Sequence, residues 1–345
     1  MNVSAHSQLM VENRVDWDDL LADGRTPLEV PQMTGLEITL IIAGSVFVLW
    51  VLLHQKTSRC DGTYIKNLHP YRRMMSFLMP TRNGATVYYD DYVKADELLK
   101  YIEETREHFH LDVTHCLVAA CGHAMAQAPT MNRFTVGNRL YDRKGAYITF
   151  SMKRKKLNQK AKIAAVKTKI PAGATFRDLA SVINQKIGVE RSDKVTYTDK
   201  ELNLFLKLPR PLLRVGIDFF KTLDYFNLLP GGFIHPDPMY TSIFVANLGS
   251  LGMRAGFHHL YEWGNCPLFM MVGKIEDRPV VENGEVIVQK TLHVRWTYDE
   301  RIDDGLTSSY GMAAVRKVLE NPYKYLGCIQ ADGSDARPID QVDPA

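Results

Sequence analysis

An uninterrupted apolar run near the N-terminus constrains this chain more than any other feature. Residues 36–53 read LEITLIIAGSVFVLWVLL, and Glu37 is the only charged residue among them. As a helix the run would be about 27 Å long at 1.5 Å per residue, close to the hydrocarbon thickness of a bilayer, about 30 Å. A buried helix of a soluble domain is the alternative, but the run has no polar face. The sequence therefore predicts one transmembrane helix over residues 36–53.

The charges on either side of this run predict its orientation. Residues 1–35, a polar N-terminal tail, contain more Asp and Glu than Lys and Arg, whereas basic residues predominate in the linker predicted over residues 54–70 and just beyond it. An excess of Lys and Arg marks the cytoplasmic side of a membrane span. We therefore expect a single-pass membrane protein whose C-terminal domain faces the cytoplasm. Five cysteines without a CxxC pair agree with a reducing compartment.

The composition of the whole chain excludes some classes of function. Of 345 residues, 46% are hydrophobic and 23% are charged, which is usual for a folded domain. A net charge of +3 does not indicate a nucleic-acid partner. Because the cysteines show no metal-ligand spacing, we expect no metal site and no permanently bound cofactor.

Helix and strand patterns alternate along the chain after the linker. Asp96 and then Asp112 or Thr114 are candidate N-caps of two helices, and residues 145–155 and 161–170 read as paired strands. Later apolar runs predict further strands, with a hairpin turn at Asn283–Gly284 and a closing helix that stops before Pro322; both follow from the turn and breaker residues. The long antiparallel closing section predicts a mixed α/β domain rather than a doubly wound one.

Two segments allow more than one interpretation. Residues 153–169 carry eight Lys or Arg residues and no acid, which fits solvated strands, attraction to anionic membrane lipid, or contact with a CoA phosphate. Residues 202–234 are strongly apolar and aromatic. They fit a core or oligomer-interface helix, or else an interfacial helix or the wall of an acyl-chain pocket.

The last third of the sequence carries a specific order of motifs. VANLGSLG (residues 245–252) is followed by VGKIEDRPVVENGEVIVQKTLHVRWTYDERIDDG (residues 272–305) and then by a helix. This order, with Pro129 and Asn132 upstream, resembles the catalytic domain of the dihydrolipoyl acyltransferases of 2-oxoacid dehydrogenase complexes, in the chloramphenicol-acetyltransferase-like superfamily. The resemblance implies a domain of that fold over residues 71–327. The remaining residues, 328–345, read as a polar C-terminal tail.

The family signature after the last core strand is Asp-His-Arg-x-x-Asp-Gly. Its His is the general base that deprotonates the attacking thiol of CoA or dihydrolipoyl, and its second Asp forms a salt bridge with an arginine. In this sequence Asp299, Arg301, Asp304 and Gly305 match, and Glu300 stands where the family has its His. The resemblance thus implies Glu300, Arg301 and Asp304 as catalytic-site residues, with Asp304 held by an arginine.

The family also uses a hydroxyl donor. A Ser or Thr of the neighbouring subunit donates to the tetrahedral oxyanion, because the site lies between the protomers of a trimer. Ala246 occupies that position here, and the adjacent Asn247 is a further candidate catalytic residue; Ser242 or Ser250 would replace the hydroxyl if the register differs. The resemblance implies a homotrimer that takes acyl-CoA or an acyl carrier as a substrate.

Two functions are compatible with these residues. A positioned general base contributes about 10²–10⁴-fold to a rate, and one oxyanion donor about 10²–10³-fold. The exchanges at Glu300 and Ala246 therefore argue against ordinary dihydrolipoyl acetyl transfer. One hypothesis is a membrane-anchored acyltransferase with Glu300 as its base. The alternative is a catalytically inactive trimeric scaffold that keeps the fold.

Overall fold

The computed structural model describes residues 33–154, 163–192 and 207–342. The chain divides into two compact units, which meet between Gln55 and Lys56. In the first unit, helix α1 (Gly35–Gln55) covers the predicted span, and none of its side chains is buried. Its length and apolar composition are those of a membrane-crossing helix, and a signal sequence near an N-terminus shares them.

The second unit is built on two β-sheets. The strands are β1 (Gly62–Tyr64), β2 (Thr86–Lys94), β3 (Arg133–Val136), β4 (Arg139–Arg143), β5 (Ala146–Lys153), β6 (Ile163–Ile170), β7 (Ile243–Asn247), β8 (Leu268–Glu282) and β9 (Glu285–Asp299). Within the described residues, one sheet has six strands in the order β2-β9-β8-β7-β5-β6, and the other has three in the order β1-β4-β3. Strand β7 runs parallel to β5 and β8, and the other pairs are antiparallel.

Helices pack on the sheet and close its ends. Helix α4 lies against β5 and β7, and α8 packs on α4. Mixed parallel and antiparallel pairing together with these helices confirms the predicted mixed α/β class. The helices of this unit are α2 (Pro70–Leu78), α3 (Asp96–Thr105), α4 (Val113–Gln127), α5 (Phe176–Arg191), α6 (Arg210–Tyr225), α7 (Gly231–Ile234), α8 (Gly305–Glu320) and α9 (Pro322–Leu326).

Alternate residues of the central strands face opposite sides of the six-stranded sheet, as the pleat requires. In β7, Val245 belongs to the main core on the helix side. Phe244 and Ala246 point the other way, into a smaller apolar cluster with Ala255 and Met271. The two sides of β7 therefore offer different environments to the residues of the candidate site.

Local sequence accounts for several element boundaries. Asp112 caps α4, because its carboxylate accepts from the backbone N–H of Thr114 and His115, and the His115 side chain returns the bond to the cap. Asn283 and Gly284 both have positive φ, 52° and 85°, and form the tight turn of the β8–β9 hairpin as predicted. Asp96, expected to cap α3, is instead its first residue, and Ala95 precedes it.

Two segments predicted to lie outside the domain are part of it. The linker expected over residues 54–70 contains β1, which pairs with β4, and the buried Arg59, which binds Asp61. The C-terminal tail expected over residues 328–345 packs on the domain through Ile339, which is 1% exposed and donates its N–H to the carbonyl of Ala174. Composition did not reveal either segment, because β4 and Ala174, with which they pair, lie more than 70 residues away along the chain.

The structure describes only part of the basic stretch (residues 153–169) and of the apolar stretch (residues 202–234), for which the sequence allowed more than one interpretation. Residues 155–162 of the basic stretch and 202–206 of the apolar stretch lie outside the described residues. In α6, which belongs to the apolar stretch, Phe220 and Leu223 pack on a small buried cluster. Leu212, Val215 and Phe219 of the same helix are exposed, and none of its residues is fully buried; it is a surface helix whose C-terminal part packs on the domain.

Candidate active site

The acidic turn lies between the last strand and helix α8. Strand β9 ends at Asp299, where its register partner is Thr86 at the start of β2. The backbone N–H of Asp299 donates to Pro267, at 2.9 Å, and that of Glu300 donates to Ala85, also at 2.9 Å. These two bonds fix the point at which the chain leaves the sheet.

Asp299 and Arg301 form a two-pronged ion pair beneath the turn. Arg301 donates from Nε to Oδ1 of Asp299 at 2.8 Å and from Nη2 to Oδ2 at 2.7 Å. Its third nitrogen reaches the carbonyl oxygen of Met79 at 3.1 Å. Asp299 is 1% exposed and Arg301 6%, so the pair is buried. Both residues matched the family signature, and both hold the turn.

The other two aspartates have separate partners. Asp303 lies between Arg72 and Arg133, at N···O distances of 4.0 and 3.6 Å. Asp304 is the N-cap of α8, and its carboxylate accepts from the backbone N–H of Thr307 at 2.8 Å. This bond is the main cause of the lowered pKa of Asp304.

Among the described residues, Asp304 is a helix cap and forms no ion pair with an arginine, unlike the salt bridge that the resemblance implied. Asp304 precedes the first helical residue, Gly305, and an aspartate there binds the free N–H groups of the first turn. The arginines contact Asp299 and Asp303 instead. Sequence spacing does not show which of several neighbouring acids faces an arginine that lies elsewhere in the chain.

Glu300 differs from the three aspartates. Its backbone is held at both ends, since its carbonyl oxygen accepts from Arg72 Nη1 at 2.9 Å. Its side chain is half-buried, and its carboxylate has no hydrogen bond or ion pair to any residue that the structure describes. The hydroxyl of Tyr298 lies nearby. Burial, followed by the negative charges of Glu300 and Asp304, raises the pKa of Tyr298. Glu300 is thus the acid of the turn left available for chemistry.

Asn247 and Ala246 point to opposite faces of the sheet. The amide nitrogen of Asn247 donates to Thr114 on α4 at 3.2 Å, and its oxygen accepts from the backbone of Ser250 at 3.2 Å. Ala246 faces the other side and is 7% exposed. In these contacts Asn247 orders the turn after β7; the catalytic role predicted for it stays a prediction.

The two serines named as substitutes for a hydroxyl at position 246 already have partners. Ser242 is buried, and its hydroxyl accepts from the backbone N–H of Tyr147 at 3.0 Å. Ser250 donates its hydroxyl to the carbonyl oxygen of Asn247 at 2.9 Å. Both hydroxyls therefore hold local backbone.

One chain does not bring Glu300 and Ala246 together. In the sheet register Ala246 pairs with Met271, which pairs with Arg295, five residues before Glu300. Two strand spacings and five residues along a strand separate the two positions by about 20 Å. Within one copy these two positions are therefore too far apart to contact the same small group.

A small cavity lies on the helix side of β7. Its volume is about 240 Å³, and Asn247, Thr114 and Phe150 contribute to its lining. Lys153 and Arg191 bring positive charge to the same cavity, and Asp112 brings negative charge. Among the residues that the structure describes, no group of three or more His, Cys, Asp or Glu side chains is placed to hold a metal ion.

Sequence reasoning missed the arginines that hold the turn from outside. Arg72 follows the start of α2, Arg133 begins β3, and Arg82 approaches Asp299 to 4.0 Å. All three lie more than 150 residues before the turn. The only signal for Arg72 was its position at the start of the region of family resemblance.

Comparison with known proteins shows what this domain is similar to. Residues 234–327 match the family model of the 2-oxoacid dehydrogenases acyltransferase (catalytic domain). The fold resembles that of a probable dihydrolipoamide acetyltransferase from Listeria monocytogenes, with a TM-score of 0.50 and 15% identity, over 75% of this chain and 95% of that one. Residues 234–327 are thus similar in sequence to that catalytic domain, and the chain shares the fold of the Listeria protein. The family resemblance and the fold expected from it are confirmed to this extent.

Two curated relatives share shorter stretches. The dihydrolipoyllysine-residue succinyltransferase component of the 2-oxoglutarate dehydrogenase complex of Cupriavidus necator is 37% identical over 51 residues, 15% of this chain and 12% of the relative. The lipoamide acyltransferase component of the branched-chain alpha-keto acid dehydrogenase complex of Pseudomonas putida is 35% identical over 84 residues, 24% of this chain and 19% of the relative. The matched part spans less than a fifth of either relative.

Proposed function

We propose that this protein is a membrane-anchored acyltransferase that uses Glu300 as the general base of acyl transfer between thiols. One observation carries the proposal: within the described residues, Glu300 is the acid of the turn whose carboxylate has no partner, at the position of the family's catalytic His. The buried Asp299–Arg301 pair and the Asp304 cap hold the backbone on both sides of it.

The proposed reaction is a thioester exchange. The Glu300 carboxylate takes the proton of the acceptor thiol, and the sulfur attacks the acyl carbon of acyl-CoA to give a tetrahedral oxyanion. The bond between that carbon and the CoA sulfur then breaks, and the Glu300 carboxyl returns its proton to the CoA thiolate. A carboxylate, with a reference pKa of about 4.3, is a weaker base than imidazole, near 6.5. We therefore expect slower transfer than with a His base.

The complete site requires a second copy of the chain, in our proposal a neighbour within a homotrimer. The separation of about 20 Å between Glu300 and Ala246 in one chain supports a shared site. Apolar side chains beside the turn support it too: Leu306 and Tyr310 on α8 are 66% and 65% exposed, and Met74 on α2 is 53% exposed. A neighbouring subunit would bury these side chains.

The acyl donor in this proposal is acyl-CoA. The cavity beside Asn247 lies on the helix side of β7, whereas Ala246 faces the other side, so we do not place the reacting acyl group in this cavity. An acyl carrier has the same chemistry at its prosthetic arm. In this proposal acyl-CoA is a substrate, and no cofactor is held permanently.

Anchoring and location form the second part of the proposal. Helix α1 would cross the membrane with the catalytic domain on the cytoplasmic side, as the flanking charges favour. Contact between the basic segment that starts at Lys153 and anionic lipid would follow from that position.

A catalytically inactive trimeric scaffold is the competing function. The observation that favours it is Ala246, which has no hydroxyl at the position of the family's oxyanion donor. In that case the turn would serve only to hold β9 against α8, and Glu300 would have no chemical role.

Direct assay separates the two functions. The purified full chain in detergent is incubated with acetyl-, butyryl- and octanoyl-CoA and with dihydrolipoamide as acceptor, and thioester product is measured by mass spectrometry. We expect product above the enzyme-free blank with at least one donor, from a particle that light scattering identifies as a trimer. An intact trimer without product from any donor would favour the scaffold, and a stable monomer would exclude the shared site.

A further inference from the structure

We infer that Ser151 supplies the oxyanion-binding hydroxyl that Ala246 lacks. The inference rests on the proposed acyl transfer and adds to it a residue that the family signature does not contain. In effect the hydroxyl has moved by one strand, from β7 to its parallel neighbour β5.

The sheet register carries the inference. Ser151 is the direct partner of Ala246 in the parallel β5–β7 pair. Neighbouring strands lie about 4.8 Å apart, and paired residues point to the same face. Ser151 therefore shares with Ala246 the face opposite the helices, whereas Phe150, one residue earlier, lies in the helix-side core. A hydroxyl at position 151 is within one side-chain length of the position where the family has its donor.

The surroundings of Ser151 leave its hydroxyl accessible. Its partner on the other side, in β6, is Ala165, so the hydroxyl lies between two methyl groups. Ser151 is half-buried, and its hydroxyl has no hydrogen-bond partner among the residues that the structure describes. A hydroxyl with a free donor, flanked by the smallest side chains, is suited to bind an oxygen that approaches from the neighbouring copy.

Three other hydroxyls near this part of the sheet have structural partners. Thr149, two residues earlier on the same face, donates to the carbonyl oxygen of Pro238 at 2.9 Å. Ser242 and Ser250 bind local backbone, as described above. Ser151 thus remains the available donor closest in register to position 246.

In the proposed reaction Ser151 would act on the tetrahedral intermediate. Its hydroxyl would donate a hydrogen bond to the oxygen that becomes negative when the acceptor sulfur attacks the acyl carbon. The proton stays on Ser151 throughout, and the proton balance remains between Glu300 of one copy and the two thiols. A donor of this kind acts on the rate of the chemical step more than on substrate binding.

The test compares Ser151→Ala with Ser334→Ala, a control that removes an exposed hydroxyl near the C-terminus. In the full-length protein, Ser151→Ala should lower kcat by about 10²–10³-fold with KM changed only a few-fold, and Ser334→Ala should leave both unchanged. Adding Ala246→Ser to Ser151→Ala should restore much of kcat, since it returns the hydroxyl to the family position. A merely structural role of Ser151 would not produce that rescue.

The outcomes separate this inference from the proposed function. Wild-type transfer with an unchanged Ser151→Ala kcat would overturn the role of Ser151 and leave acyl transfer intact. A loss that Ala246→Ser does not rescue, in a variant that melts like the wild type, would overturn it as well. If Ser151→Ala folds poorly, Ser151→Cys replaces it, because Cys is close to Ser in size and is a weaker hydrogen-bond donor. Its kcat should then be lower than that of the wild type but higher than that expected for Ser151→Ala. Absence of wild-type transfer with every donor would overturn both proposals.

Discussion

Crowded acids in the turn between β9 and α8 are tolerated because each aspartate interacts with a different group. Asp299 forms an ion pair with Arg301. Asp303 lies between Arg72 and Arg133. The carboxylate of Asp304 binds the N-terminal end of α8. Repulsion among neighbouring carboxylates is weakened when each has its own partner.

These assignments predict unequal effects of two alanine substitutions. Asp299→Ala leaves a buried arginine without its partner and should lower the free energy of unfolding by about 3–5 kcal/mol. Asp304→Ala removes only a helix cap and should cost about 1 kcal/mol. Urea unfolding of both variants checks the order. A larger loss for Asp304→Ala would mean that the architectural acid of the turn is Asp304 after all.

For single residues of the turn, the sequence predicted a contact correctly where the two residues in contact are close along the chain. The matches of Asp299 and Arg301 to the family signature identified a pair that the structure brings together. The partner of Asp304 was misassigned, because the choice among three nearby aspartates depends on Arg72 and Arg133, which folding brings from distant strands and helices. The sequence also did not show which face of the six-stranded sheet Asn247 occupies, because that depends on the register of β7.

Helix α8 closes the domain by packing tightly at one glycine. A Cβ added to Gly311 would lie 1.5 Å from Sδ of the buried Met131, so Met131 must move. Gly311→Ala should therefore destabilise the protein by about 1–3 kcal/mol. Gly216→Ala in α6 is the matched control, because a Cβ there meets nothing within 4 Å. That change should stabilise by about 0.5–1 kcal/mol in the same melting assay. Equal effects of the two substitutions would contradict the packing of α8.

The cap of α4 predicts a dependence of stability on acidity. Burial opposes ionisation of Asp112, but the His115 side chain and the backbone N–H groups of Thr114 and His115 outweigh it and lower the pKa from 3.8 to about 2. A carboxyl with a lowered folded-state pKa stabilises the fold above its unfolded value, and that contribution is lost as the pH falls from about 4 through about 2. Asp112→Asn, which also caps helices, should reduce this loss in urea unfolding. An unchanged pH dependence would exclude Asp112 as its source.

Elements defined by short-range signals were predicted well, and those defined by long-range pairing were not. The Asp112 cap and the Asn283–Gly284 turn follow from residues within a few positions of each other. Strand β1 has three residues, too short for a periodic pattern, and it exists because β4 offers an edge. The C-terminal segment around Ile339 reads as polar, yet the buried Ile339 side chain, its N–H bond to Ala174 and the contact of its carbonyl oxygen with His123 hold it.

The anchor is a property of the whole molecule, and extraction tests it. If α1 spans a membrane, alkaline carbonate should leave the full chain in the membrane pellet and release a chain that starts at Lys56, the first residue of the second compact unit. Intact-mass measurement of the pelleted protein should include residues 1–55. A mature protein that lacks these residues would identify α1 as a cleaved signal sequence, and a soluble full chain would exclude both roles.

The family likeness predicted the fold, since its motifs in the last third of the chain fall on β7, β8 and β9, which are neighbours in the sheet. It did not determine whether the exchanged residues still perform chemistry, because one fold can carry different activities. That question depends on Glu300 and on the hydroxyl near Ala246, which two different copies of the chain would have to bring together.

The most direct test measures kcat for Glu300→Gln in the acyl-CoA and dihydrolipoamide assay. Gln keeps the shape of the side chain and removes its basicity, and Glu285→Gln, an exposed position in the hairpin, makes the same chemical change as a control. If Glu300 is the general base, its substitution should lower kcat by about 10²–10⁴-fold, with trimer mass and melting temperature unchanged, while Glu285→Gln keeps wild-type activity. A Glu300→Gln kcat equal to that of the wild type would show that transfer does not use this carboxylate.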